Sequence, residues 1–145
     1  MQLLKNALTR RDVEKSDVAL KDAEIAFKKK DLTTAFNRIY NAIFYMVTAF
    51  AYKNDFSTIS HSKLMEWFIK DYIEDHPTFD NELSEIYSKI FTLNQGNEDG
   101  SEFKPKITEI KELLEKAKLF TETVKKEIYP VASTTRTKGE KKNDT

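Results

Sequence analysis

The chain has 145 residues, enough for one domain with a substantial core. It has no Cys, which excludes disulfides, thiolate metal sites and Cys nucleophiles and fits a reducing compartment. Its 24 basic and 24 acidic residues cancel, so the excess of positive charge that marks a general nucleic-acid binder is missing, and any such site must be local.

Gly and Pro number only three each, too few for the turns of an all-β protein, and argue for long helices. The first predicted helix runs from about Arg11 to Lys29, with Val13, Leu20, Ala23 and Phe27 as an apolar stripe. Lys28, Lys29 and Lys30 fall where cations suit a helix C-terminus, and Asp31 is placed to cap the next helix. That second helix, about Leu32 to Lys53, carries two apolar stripes. One is Ala35, Ile39, Ala42, Ile43, Met46 and Phe50; the other is Phe36, Tyr40, Phe44, Val47 and Ala51. Adjacent stripes imply burial around most of the circumference, so this is the central helix. Its remaining strip reads Arg38, Asn41, Tyr45, Thr48 and Tyr52, at steps that keep these residues on one face.

Residues 54–59 read as a loop, and Ser60 as the cap of a third helix with Leu64, Trp67, Phe68 and Tyr72 inward. His76-Pro77 ends or interrupts it, since a residue before Pro avoids helical angles. A fourth helix, about Phe79 to Asn94, buries Leu83, Ile86, Tyr87, Ile90 and Phe91. Gln95 to Phe103, with two glycines and three acids, is predicted to be a loop. Pro105 sits at the first turn of a last helix that runs to about Ile128, with Ile107, Ile110, Leu114, Ala117, Val124 and Ile128 at core spacing, widened by Leu113 and Phe120. Opposite charges four apart, such as Glu112/Lys116 and Lys118/Glu122, lie on its outer face. The fold expected is all-α: an antiparallel up-down bundle of about five helices over residues 1–130. A polar, disordered tail is expected over 131–145.

Lys5, Arg10 and Arg11 interrupt any signal-peptide pattern. The longest apolar stretch, Ala42 to Ala51, is too short to span a bilayer of about 30 Å, so a cytoplasmic protein with no membrane partner is expected. Metal chemistry finds little support. Di-iron bundles use Glu-x-x-His pairs, and the residues three before His61 and His76 are Thr58 and Ile73. No metal site and no cofactor is expected. Arg38 stands out: a cation in the most apolar helix, flanked by Asn37 and Asn41, whose planar fork suits a phosphate or carboxylate. The structural alternative is that Arg38 closes a polar seam or pairs with an acid. Tyr45 has a parallel alternative as a half-buried aromatic.

Residues 37–46 read Asn-Arg-Ile-Tyr-Asn-Ala-Ile-Phe-Tyr-Met. This resembles a segment of HEPN domains (higher eukaryotes and prokaryotes nucleotide-binding) with the flavour Ser-Arg-Ala-Tyr-Tyr-Ala-Met-Phe-His-Ala, matching at Arg38, Tyr40, Ala42 and Phe44. The likeness extends back to Ala19, and forward through Ser60-His61-Ser62-Lys63 and Phe91-Thr92-Leu93 to Phe120 and Ile128, covering about residues 13 to 129. The resemblance implies a four- or five-helix bundle, usually a symmetric homodimer. Many members are metal-independent RNases or toxins, often paired with a nucleotidyltransferase antitoxin; others only bind. The family's nuclease motif is an Arg followed four to six residues later by His.

This chain departs from that motif. Asn94 aligns with the Arg, no His follows in residues 95–100, and the His-equivalent position of the central helix holds Tyr45. With an ordinary pKa of about 10, Tyr is a poor general base near neutrality. The expected function is therefore binding of a nucleotide, an RNA or a nucleotidyltransferase partner, in a toxin–antitoxin or defence context. Arg38, Asn41, Tyr45 and Asn94 are the expected ligand-binding residues, and His61 a cap or conformational switch. One alternative is a metal-independent RNase with Arg38 and Tyr45 as catalytic residues. Another is a structural helical subunit of a larger assembly.

Overall fold

The computed structural model describes residues 2–98 and 104–130; the expected tail over 131–145 and part of the expected loop at 99–103 lie outside them. Among the described residues every regular element is a helix: α1 (Gln2–Lys28), α2 (Leu32–Lys53), α3 (His61–Ile69), α4 (Asn81–Glu98) and α5 (Ile107–Ile128), with α3 prolonged by a π-helical turn over Lys70–Asp75.

The central helix is as the periodicity predicts. Ala35, Phe36, Ile39, Ala42, Ile43, Met46, Val47 and Phe50 are buried, and α2 packs against every other helix. Asp31 caps it, its side chain accepting a hydrogen bond from the Thr34 amide at 3.2 Å. The turn before it is a left-handed cap built without glycine. Lys30 has φ of 62°, and the Asp31 and Lys30 amides donate to the Ala26 and Phe27 carbonyls.

Helix α1 begins nine residues earlier than the apolar pattern indicates. Its first turns carry Leu3 and Leu4 exposed, so no inward stripe marks them. They are held instead by a Lys5–Asp55 ion pair of 3.2 Å and by buried Thr9, whose hydroxyl donates to the Lys5 carbonyl. The inward face of α1 also differs from expectation. Leu20 and Phe27 are only partly buried, while Thr9, Asp12, Val13, Ser16, Ala19, Ala23 and Ala26 are buried. This is a seam of small residues. Ser16 Oγ donates to the Ala42 carbonyl at 2.7 Å, which requires the two backbones to approach closely. Ala35, Ala42 and Ala49 of α2 are fully buried as well, so small residues line both helices where that bond forms.

The loop over residues 54–60 carries the chain back along α2, so α3 starts beside Tyr40 and Phe44 and runs toward Phe50, where Trp67, Phe68 and Tyr72 gather with Phe79. Ser60 caps α3 through the Lys63 amide, as its position predicts. His76, before Pro77, is extended (φ −131°, ψ 86°) and ends the π turn. Helix α4 runs against α2, its Tyr87 meeting Phe68 and Phe120. It continues through Gln95 to Glu98, correcting the loop expected there.

Helix α5 starts at Ile107, two residues after Pro105, and Ile107 itself is exposed; Leu113 and Phe120 lie fully inside as expected. Of its charge pairs, Glu112–Lys116 forms at 3.2 Å. Lys118 reaches Glu24 of α1, as Lys125 reaches Asp17 at 2.9 Å. Two pairs one heptad apart thus lock α5 antiparallel to α1, while Lys53 donates to the Ile128 carbonyl where α2 and α5 end together.

Candidate functional site

The bundle separates the candidate residues into two places. The first is a groove between α1 and α2, with a cavity of about 410 Å³ lined by Arg11, Glu14, Lys15, Val18, Ala19, Asp22, Arg38, Asn41 and Tyr45. It exists because the small-residue seam draws the two helices together, so the longer side chains flanking the seam rise on either side as walls. Arg38, Asn41 and Tyr45 occur one helical turn apart along α2, and the structure brings all three into this groove.

Arg38 is half-exposed and not enclosed. Its Nη1 donates to the Asn37 side-chain carbonyl at 2.9 Å, and no carboxylate pairs with it among the described residues. The structural alternative of an acid on a neighbouring helix is thus not what holds it. Tyr45 lies with its ring under Lys15, whose Nζ is 5.4 Å from the ring centroid, a cation–π contact. At one end Arg11 donates to Asp12 at 3.3 Å. Asp12 is 2% exposed, one of the most buried polar residues in the fold. The hydrogen bond and charge of Asp12, with help from Tyr52, push the Arg11 pKa above its ordinary value. Arg11 thus has a structural duty that Arg38 lacks. The sequence reading missed Arg11 and Lys15. Their signal was available in the spacing of four residues on α1, but nothing in one helix says which side of it faces Arg38.

The second place lies where α3 begins against α2 and the end of α4. A cavity of about 410 Å³ is lined by Tyr40, Ser60, His61, Ser62, Phe91, Asn94 and Gln95. Asn94, expected with Arg38, sits here instead, buried and beside His61, because α4 packs on the opposite side of α2 from α1. Tyr40 Oη lies 2.6 Å from His61 Nδ1. The imidazole stacks on the partly buried Phe44 at 4.0 Å between centroids with a 22° tilt. His61 is therefore fixed in plane and in one of its two nitrogens. Tyr40, read from the sequence as core, is half of this pair.

Neither place gathers a metal-ligand set; among the described residues no group of three or more His, Asp or Glu side chains comes together. No described helix is long and apolar enough to cross a membrane.

Comparison with known proteins agrees with the arrangement of these helices. The chain is 28% identical over 107 residues to a UPF0332 protein of Thermotoga maritima, a span covering 74% of this chain and 80% of that protein. The family model described as HEPN domain matches residues 10–128, from the turn of α1 that carries Arg11 to the last residue of α5, and the chain belongs to the HEPN domain family.

Proposed function

We propose that this protein works by binding, as a homodimer that takes a nucleotide or a phosphate-bearing segment of RNA in the α1–α2 groove. HEPN domains commonly dimerise and bind nucleotides or RNA. The observation that carries the reading is the state of Arg38. Its guanidinium has five donors, of which one is used among the described residues, and it stands beside Lys15, Arg11 and the Tyr45 ring. Asp12 pairs with Arg11, so Arg38 and Lys15 are the groove cations left facing Glu14 and Asp22, and the attraction for a phosphate rests on the geometry of the Arg38 fork and not on an excess of positive charge. A planar fork for phosphate and an aromatic ring for base stacking are the two elements a single-stranded ligand needs.

Binding is favoured over chemistry because the groove lining contains no histidine. RNA cleavage needs a group to take the 2′-hydroxyl proton as well as charge to stabilise the phosphorane. Arg38 can supply only the second. The proposed setting is a toxin–antitoxin or defence pair with a nucleotidyltransferase as the partner. Co-purification from the native host tests that setting; recovery of stoichiometric subunits of a large complex would favour the structural alternative.

The direct test is fluorescence anisotropy with a labelled single-stranded RNA of mixed sequence. Arg38→Ala should weaken binding by about tenfold or more, and Tyr45→Ala by a similar factor. Wild-type protein with EDTA should leave the RNA intact. Unchanged binding in Arg38→Ala would remove the groove reading. Cleavage that disappears in Arg38→Ala would replace binding by the metal-independent RNase alternative.

A further inference from the structure

Residues 2–9 of α1 lie outside the span matched by the HEPN model. They carry Leu3, Leu4, Ala7 and Leu8, at the i, i+1, i+4, i+5 spacing of a helix face that packs against another helix. Among the described residues nothing covers that face. Leu3 is 84% and Leu4 57% exposed, Ala7 is exposed and Leu8 is half-buried. Single exposed leucines are ordinary on a protein surface, but an apolar helix face of four contiguous residues marks an interaction surface.

The ground on either side of this face says what kind of helix it would take. On one side a cavity of about 320 Å³ is lined by Leu4, Leu8, Tyr52 and Phe56, with the Lys5–Asp55 ion pair at 3.2 Å. The loop after α2 builds its far wall. Asp55 turns the chain in the left-handed region at φ 62°, and the Phe56 amide donates to the Ala51 carbonyl. Phe56 in turn stacks on Trp67, with centroids 4.6 Å apart and rings 2° from parallel. On the other side a cavity of about 370 Å³ is lined by Gln2, Asn6, Arg10, Lys53, Tyr129 and again Lys5. Among the described residues no carboxylate lines this second cavity. Lys53 is held in place by the last carbonyls of α5. Arg10 is exposed and has no hydrogen bond or ion pair among the described residues, so its five donors face solvent.

We propose that the first turns of α1 dock an acidic amphipathic helix of a partner protein. Apolar side chains of that helix, spaced three and four apart, cover Leu3, Leu4 and Leu8 and reach the edge of Phe56. Its carboxylates fall on the Arg10 side, where the planar guanidinium fork has no acid of its own. A basic helix would leave Arg10 facing like charge. A second copy presenting the same patch brings the same cations, with its Asp55 already paired to Lys5, and so offers Arg10 no partner. A bilayer surface is flat and cannot follow a cavity on each side of a ridge. The docking face shares no lining residue with the groove around Arg38 and does not rest on the binding proposed there.

The test is a synthetic peptide of about 18 residues, long enough to be helical, with Leu at helical spacing and Glu at the other positions. Titrated into full-length protein, it should bind with Kd of about 100 µM or tighter by anisotropy of a labelled copy. Unlabelled peptide should change the emission of Trp67, the single tryptophan of the chain, through its contact with Phe56. Leu4→Ser and Arg10→Glu alter exposed positions, so each should keep Tm within about 1 °C and weaken the peptide by about fivefold or more. Leu4→Ser should leave RNA affinity unchanged. Absence of binding at about 1 mM peptide would overturn the proposal, as would binding that survives both substitutions. Equal affinity for a peptide with Lys at every Glu position would show that charge does not select the partner and would overturn it too. Vesicles of anionic phospholipid that carry wild-type protein but not Leu4→Ser would make the occupant a membrane. A dimer that dissociates in Leu4→Ser would make it a second copy. Either result replaces the acidic helix and overturns the proposal, whereas the groove reading fails on a different measurement, namely RNA affinity insensitive to Arg38→Ala.

Discussion

Arg38 illustrates how a residue's environment decides what a substitution reports. A guanidinium sealed inside a bundle would need a partner, and losing the fork would cost stability. Here the side chain is half-exposed and, among the described residues, bonded to Asn37 alone, so little folding free energy depends on it. Arg38→Lys should shift Tm by no more than about 1 °C, while weakening RNA binding by several-fold because an ammonium cannot make paired bonds. Differential scanning fluorimetry beside anisotropy separates the two effects; a drop of several degrees would move Arg38 from ligand binding to fold support. Tyr87 is the opposite case. It is buried among Phe68 and Phe120, and burial pushes its pKa far above the ordinary tyrosine value. The folded pKa is the higher one, so its stabilising contribution is complete below the unfolded value of about 10 and declines as pH rises above it. Each pH unit in that window should remove up to about 1.4 kcal/mol through this residue. Tyr87→Phe should therefore show a shallower fall of Tm between about pH 10 and 11 than the wild type; parallel curves would refute the assignment.

Among the elements, the α1–α2 pair is where close packing sets the site. The seam of Ser16, Ala19, Ala23 and Ala26 against Ala35, Ala42 and Ala49 leaves no space for larger groups. Ala23 is fully buried, and Ala23→Leu should destabilise by about 1–3 kcal/mol through overpacking. Pushing the helices apart should also widen the groove that holds Arg38, so RNA affinity should fall although no lining residue has changed; urea denaturation and anisotropy on the same variant check both. The turn joining these helices carries the reverse opportunity. Lys30 occupies the left-handed region at φ 62°, where a side chain costs free energy and glycine does not. Lys30→Gly should stabilise by about 0.5–1 kcal/mol, raising Tm by about 1–4 °C. A lower Tm would mean that the Lys30 side chain makes a compensating contact.

For the whole molecule, the question is what covers the exposed apolar side chains. Leu3, Leu4, Val18 and Ile25 of α1 and Ile59 of the loop between α2 and α3 are all more than half exposed. All but Ile59 lie on α1, the helix that forms one wall of the groove. A homodimer that covers part of this surface is the expected state. Light scattering after size exclusion should give about twice the 16.9 kDa chain mass. A monomer at tens of micromolar would count against the dimer while leaving both binding tests intact.

How much of this was legible in the sequence follows from the range of the forces involved. The helix count, the burial of α2 around Ile39, Ile43 and Met46, and the caps at Asp31 and Ser60 depend on residues within one or two turns of each other, so periodicity and capping chemistry determined them. Helical spacing placed Arg38, Asn41 and Tyr45 on one face, and they are one face because 3.6 residues make a turn. The start of α1 at Gln2 was hidden because that segment is held by an ion pair to Asp55 and a small-residue seam, neither of which produces a stripe of large apolar residues. Only the tertiary structure decided that Arg11 and Lys15 join Arg38, that Asn94 belongs with His61 and not with Arg38, and that Tyr40 holds His61 Nδ1. These are contacts between helices far apart in sequence. Which face of α1 or α4 meets which face of α2 is settled by packing of the whole core, and no local pattern in a single helix contains that information.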